Sequence, residues 1–228
     1  MSERSTGDLI KAGEFQKACV RADTEFGASG NIFPLRNKVI ALLQLDKVDE
    51  AIRLSEEIIG LNAGSTDSDF IYWGVARWLK RQSVLAIEAW KTGLKSKYTD
   101  AAGGVEIPML LLFASVRTLD KKLEKEATNL LKKACRTKRT INWPGPLAQY
   151  LLDVISEAEM RSQVDAQPIL HEKQSCQAGF YVALKRLTSG DEIGFREKLE
   201  LCIGHGLVCS FKAETYLAQG ELKLFRAN

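Results

Sequence analysis

Apolar residues recur along this chain at steps of three and four, the spacing of one helix face. Leu9, Ile10, Phe15, Ala18, Cys19 and Ala22 set the rhythm, with a break at Gly13, a residue that ends a helix cheaply. Val39 to Leu45 predicts a second helix and Ala51 to Ile59 its partner, with Asp46–Asp49 as the turn. Asp69 to Lys97 predicts a third pair turning near Lys80–Ser83, and Pro108 to Lys133 a fourth turning at Asp120–Lys122. Between pairs, Asn62–Ser68 and Tyr98–Gly104 are rich in turn formers. Leu147 to Met160 reads as one helix, Ser175 to Cys202 as a pair turning at Gly190–Asp191, and Val208 to Phe225 as a terminal helix. No stretch alternates with period two for long enough to demand a sheet.

Small residues mark a longer period. Ala18, Ala51, Ala86 and Ala127 occupy the same helical frame at intervals of 33, 35 and 41 residues, and Phe195 follows 68 residues later. A period of about 34 residues is the length of a helix–turn–helix solenoid unit. With Gly74 and Ala86 as small residues on paired helices, and Trp90 and Gly93 following on the second, the chain resembles the tetratricopeptide repeat family. Ser115, Ala127, Leu131 and Ala134 match the next unit, Gly13, Ala18 and Ala22 parts of the first, and Ala183 and Gly190 parts of the last, where Phe195 replaces a small residue. No unit carries the full signature, and Thr137–Gln174 matches poorly. The resemblance implies an all-α, right-handed α-solenoid of about five to six antiparallel helix pairs. It would be one domain over residues 1–228, with an irregular insertion at about 137–174. First helices would line its concave face.

Phe70–Leu79 is apolar nearly all the way round, so it is either buried on all sides or keeps one face for a partner. The repeat frame points Ile71, Val75 and Trp78 to the concave face and packs Phe70, Trp73 and Gly74 inward. The same frame places Leu112, Val116 and Leu119, then Phe180, Leu184 and Leu187, on the corresponding face. A mostly apolar inner face suits a protein partner. Asp100 and Glu106 flank the glycine-bearing loop, where they could meet a basic patch. With Trp143, these make Ile71, Val75, Trp78, Asp100, Glu106, Val116 and Trp143 the expected partner-binding residues.

Composition narrows the alternatives. No apolar run approaches the roughly 20 residues of a membrane span, and Met1–Asp8 lacks the apolar core of a secretory signal. The expectation is a cytoplasmic protein without membrane contact, its five cysteines reduced. A net charge of +3 is close to balanced and argues neither for nor against an acidic partner, and nucleic acid is not the expected one. Lys132, Lys133, Arg136, Lys138 and Arg139 lie beside Trp143 and could hold a phosphate backbone while the ring stacks a base. The alternative is a solvated helix C-terminus, where cations are favoured, and it is preferred. Cys202, His205 and Cys209 lie close in sequence, but zinc takes four ligands and only distant Cys176 offers a fourth. They read as packing residues, with no metal. His171 and His205 are the only histidines, and no nucleophile, metal or phosphate-loop motif appears, so neither catalytic residues nor a cofactor are expected.

Tyr98–Pro108 and Asn142–Pro146, set between repeat-like units, give the chain a similarity to helical-repeat proteins of bacterial toxin–immunity loci. The expected function is protein binding, in one version the occlusion of a toxin domain. A nucleic-acid-associated adaptor using residues 132–139, or an enzyme with a site in the 137–174 insertion, are the alternatives.

Overall fold

The computed structural model describes residues 3–62 and 64–227. It is all-α. The helices are α1 (Thr6–Lys11), α2 (Phe15–Ser29), α3 (Phe33–Gln44), α4 (Val48–Asn62), α5 (Asp67–Leu79), α6 (Ser83–Gly93) and α7 (Glu106–Thr118). They continue with α8 (Lys121–Ala134), α9 (Gly145–Leu151), α10 (Glu157–Ser162), α11 (Pro168–Thr188), α12 (Glu192–Gly204) and α13 (Ala213–Ala227). Short 3-10 turns cover Lys138–Ile141 and Gly206–Phe211. Among the described residues the extended pairing is a single isolated bridge, Thr66 with Tyr98. The loop expected at 62–68 is shorter, since Asn62 ends α4 and α5 already begins at Asp67; residue 63 is outside the described residues.

One turn recurs. Gly13, Asp46, Arg81, Leu119, Asp153 and Gly190 all have left-handed backbone, with φ from +55° to +80°. At each, the following amide donates back to the carbonyl five residues earlier, as in Glu14 N to Leu9 O (2.9 Å), Lys47 N to Leu42 O (2.9 Å) and Gln82 N to Arg77 O (3.0 Å). This closure satisfies carbonyls that a helix end would otherwise leave open and reverses the chain into the next helix. The left-handed residues are 33, 35, 38, 34 and 37 positions apart.

The turn at Asp153 corrects one expectation. Leu147–Met160 is not one helix: α9 stops at Leu151, and α10 starts after Ser156. Ser156 Oγ accepts from Glu159 N while Glu159 accepts from Ser156 N, a reciprocal cap that fixes a helix start where apolar spacing alone suggested an interior. The stretch read as an insertion therefore carries a shortened pair of helices and the same turn.

The small residues of the frame sit where helices approach most closely. Ala18, Ala51, Ala86 and Ala127 are fully buried. Gly74 lets the Trp90 indole lie flat on α5, where its Nε1 donates to Ile71 O (3.2 Å). A Cβ on Gly93 would meet Phe70 and Ile107 at 2.6 Å, so this glycine seats α6 between α5 and α7.

The last helix does not continue the row. α13 packs on α5, α11 and α12 and fills the face made by the first helices of the pairs. Trp78 Nε1 donates to Glu221 (3.2 Å), and Arg117 forms a charge contact with the same carboxylate (2.7 Å). Tyr216 donates to Ser210 O (2.6 Å) and lies 3.3 Å from Ile40 O, with Gln44 Nε2 on its hydroxyl at 3.4 Å. The 206–211 turn reaches back to α1 and α3, with Leu207 against Gly13, so the end of the chain touches its beginning.

Two orientations differ from expectation as a result. Ile71, Val75 and Trp78 are buried, at 4%, 0% and 6% exposure, because the face they form is covered by α13. Trp73, expected in the core, is half-buried at the outer edge, donating to Glu56 (3.2 Å) under the Arg77 guanidinium. Trp78 stacks on Trp90 (6.0 Å) and tilts against Phe113 (5.0 Å). Trp78→Ala is expected to cost about 3–5 kcal/mol of stability in denaturant titrations, and Trp73→Ala clearly less. Equal losses would contradict this packing.

Candidate functional site

Where α13 begins, the inner face is not filled. A cleft of about 470 Å³ opens among α1, α3, α4 and α5 and the 206–211 turn. Its floor is apolar, from Val39, Ile40 and Ile58, and its lip carries Phe33, which is 59% exposed. Phe33 starts α3 with Pro34 behind it in the first turn, where proline costs no hydrogen bond. Cations ring the mouth: Lys11, Lys173 and Arg36. Arg36 grips Asp69 with two bonds (2.7 and 3.0 Å), and Asn62 donates to the same carboxylate (2.7 Å). Burial, then the charges of Lys212 and Lys11, lower the Lys173 pKa.

Past Ser68, Tyr72 and Phe211 the cleft adjoins an inner chamber of about 210 Å³. Glu106, Glu214 and Lys212 line it. Three helix starts converge here, and each brings a carboxylate in its first turn: Asp67 on α5, Glu106 on α7 and Glu214 on α13. Carboxylates are favoured at such positions by the helix dipole. Burial opposes them. It pushes Asp67 up to about 6, helped by the charge of Asp100. It pushes Glu106 up to about 7, against the pull of Lys212 and with the charges of Glu214, Asp100 and Asp67 adding to the rise. Glu106 and Tyr72 are deep in the protein yet keep part of their surface accessible, because both face the chamber.

Gln177 is the polar hub behind this wall. Its amide donates to Glu214 (3.0 Å) and, at 3.5 Å, to Glu106, while its oxygen accepts from Trp143 Nε1 (2.8 Å). Tyr181 lies beside Glu214 and Glu106, fully buried, and burial together with these two carboxylates raises its pKa.

The expected site residues thus separate. Glu106 faces the chamber. Asp100 does not face outward: its carboxylate accepts from the amides of Ala102 (2.9 Å), Gly104 (3.1 Å) and Glu106 (2.9 Å), so its valence is spent shaping the loop that starts α7. Trp143 is half-buried and tied to Gln177, not free to stack a base. Val116 is half-buried against the core, and Leu119 is exposed at the α7 end. Lys132, Lys133, Arg136, Lys138 and Arg139 are exposed around the end of α8. Cys176 and Cys202 touch at 2.8 Å inside the α11–α12 pair, and this shared hydrogen bond raises the Cys176 pKa. Among the described residues no group of three or more His, Cys, Asp or Glu side chains is arranged to hold a metal ion, and no helix is long and apolar enough to cross a membrane.

Sequence reasoning missed Glu214, Lys212, Lys173 and Arg36. Arg36 and Glu214 lie in the first turn of a helix, Lys212 just before one and Lys173 in the second turn of α11, and no local spacing signals that these places meet. No model of a known protein family matches the chain, and no curated protein matches it.

Raised carboxylate values fix the sign of a pH effect. The folded state holds a proton on Glu106 more tightly than the ordinary value of 4.5 would allow. Folding stability contributed at this position therefore falls as pH rises from about 4.5 to about 7. Glu106→Gln is expected to melt higher than the parent at pH 8, by at most about 3 kcal/mol of stability, with the gap closing below pH 5. A gap independent of pH would show that the side chain is not a buried acid.

Proposed function

We propose that this chain is a binding protein of the tetratricopeptide-like solenoid type, right-handed, which seats a segment of another protein in the cleft beside α13. The observation that carries this reading is the cleft itself. It has an apolar floor, an exposed aromatic lip at Phe33 and charged groups of both signs at its edges. Partner segments dock in grooves of this kind by apolar anchors, with charge setting register. The remainder of the inner face is unsuited to a partner, since α13 already lies on it. Occlusion of a toxin domain is one form this activity can take.

The test compares two surface variants. Phe33→Asp should weaken partner capture from the native host by about tenfold or more. Val84→Asp, at a 68% exposed position on α6 away from the cleft, should leave it unchanged. The captured protein, once purified, should bind the parent chain directly at one to one. Loss with Val84→Asp but not with Phe33→Asp would place docking on the outer helices and end this reading.

A further inference from the structure

We infer that the segment docked in the cleft carries an acidic side chain, aspartate or glutamate, beside its apolar anchor, and that Lys173 and Asn37 receive its carboxylate. This rests on the cleft being the docking site and names the chemistry of what docks there.

Phe33, Asn37 and Ile40 line the cleft from successive turns of α3. Asn37 is only 6% exposed, yet its amide has no hydrogen-bond partner among the described residues. Its Nδ2 lies over Gly7, which also lines the cleft. Buried polar groups are nearly always paired, so an amide left open on a cleft wall marks a place for a ligand atom.

Lys173 is the second observation. It is half-buried on the same lining, with its ammonium 5.3 Å from the centre of the Phe211 ring. It forms no ion pair among the described residues, and burial and the like charges of Lys212 and Lys11 disfavour its charged form. The other charges of the cleft are already balanced. Glu25 accepts from Thr6 N (3.3 Å), Thr6 Oγ1 (2.8 Å) and Arg21 (2.9 Å). Asp69 is held by Arg36 and Asn62, and Lys11 reaches Asp8 (3.2 Å). What remains is a cation and an amide, both able to donate, next to the apolar floor of Val39, Ile40 and Ile58.

Other occupants fit worse. A basic side chain would find the lining acids saturated and Lys173 opposing it. A phosphate would have little free charge to meet, because Arg36 is committed to Asp69. A wholly apolar segment would cover the ammonium and the amide without giving either a partner. A carboxylate has two oxygens for these two donors, and bonds to an ionised group are the strong ones.

The probe is an acetylated, amidated pentapeptide with glutamate at its centre, leucine on either side and serine at both ends. Its control has glutamine at the centre, which keeps the shape and loses the charge. Titration calorimetry on the parent chain should show the glutamate peptide binding at least about tenfold more tightly. Lys173→Met should remove most of that preference and Lys173→Arg should keep it, with folding checked by melting. Asn37→Leu should weaken the glutamate peptide about fivefold while the melting temperature stays the same or rises, since the amide holds nothing within the fold. Equal affinity of the two peptides, no binding by either, or a preference that survives Lys173→Met overturns the assignment. A lower melting temperature with unchanged affinity in Asn37→Leu does so for Asn37. Binding of octanoate with none of the peptide also overturns it, by making the ligand a small amphipathic acid. Failure of the docking reading is seen separately: Phe33→Asp then leaves partner capture intact. Peptides that bind equally, and are both weakened by Phe33→Ala, would leave docking standing and remove only the acid.

Discussion

The arrangement depends on one helix lying across the others. α13 sets Tyr216 against Ile40 of α3 and Glu221 against Trp78 of α5 and Arg117 of α7, and Leu217 between them is fully buried. Glu221 is the point of contact with most at stake. It is almost fully buried, and it takes the Trp78 indole hydrogen and the Arg117 charge together. A carboxylate in such a place is tolerable only because both neighbours are fixed by packing. Helix pairs of this kind bury only part of their apolar surface against each other. Here the remainder is buried by the chain itself.

How far the sequence reveals this follows from the range of the interactions. Pairing of α3 with α4 or α5 with α6 is set within about 30 residues, and Asp46, Arg81 and Gly190 mark the reversals in the sequence itself. Buried Ala86, Gly74 and Trp90 were readable from spacing because close helix approach demands small residues in register. Even the doubled interval from Ala127 to Phe195 has its explanation, since a shortened pair turning at Asp153 stands between them. What spacing does not reveal is where a helix ends up when its partners lie more than a hundred residues away. Spacing leaves Trp78 on a face open to a partner; that α13 packs on it is not legible. Spacing leaves Asp100 free to meet a basic patch because the amides that claim it belong to a loop conformation, not to a pattern.

The candidate site sets stability against binding. Three helix starts in one place would ordinarily make a site for an anion. By supplying its own carboxylates the protein gives up that option and accepts acids whose ionisation is opposed by burial. The Arg36–Asp69 pair, one helical step away, shows the same chemistry in balanced form.

The placement of Trp78 also has a consequence for how the molecule assembles. Helix pairs close through neighbouring residues, whereas α13 meets Trp78 across 143 positions of chain and Ile40 across 176. Local contacts form early and distant ones late. The chain has four tryptophans, and by sequence separation three of them are expected to be enclosed at different stages. Trp90 is enclosed once α5 and α6 pair, Trp143 once α11 is in place, and Trp78 only when α13 docks. Indole emission followed through refolding would thus resolve the closing of the repeat array from the seating of its final helix, with no label added.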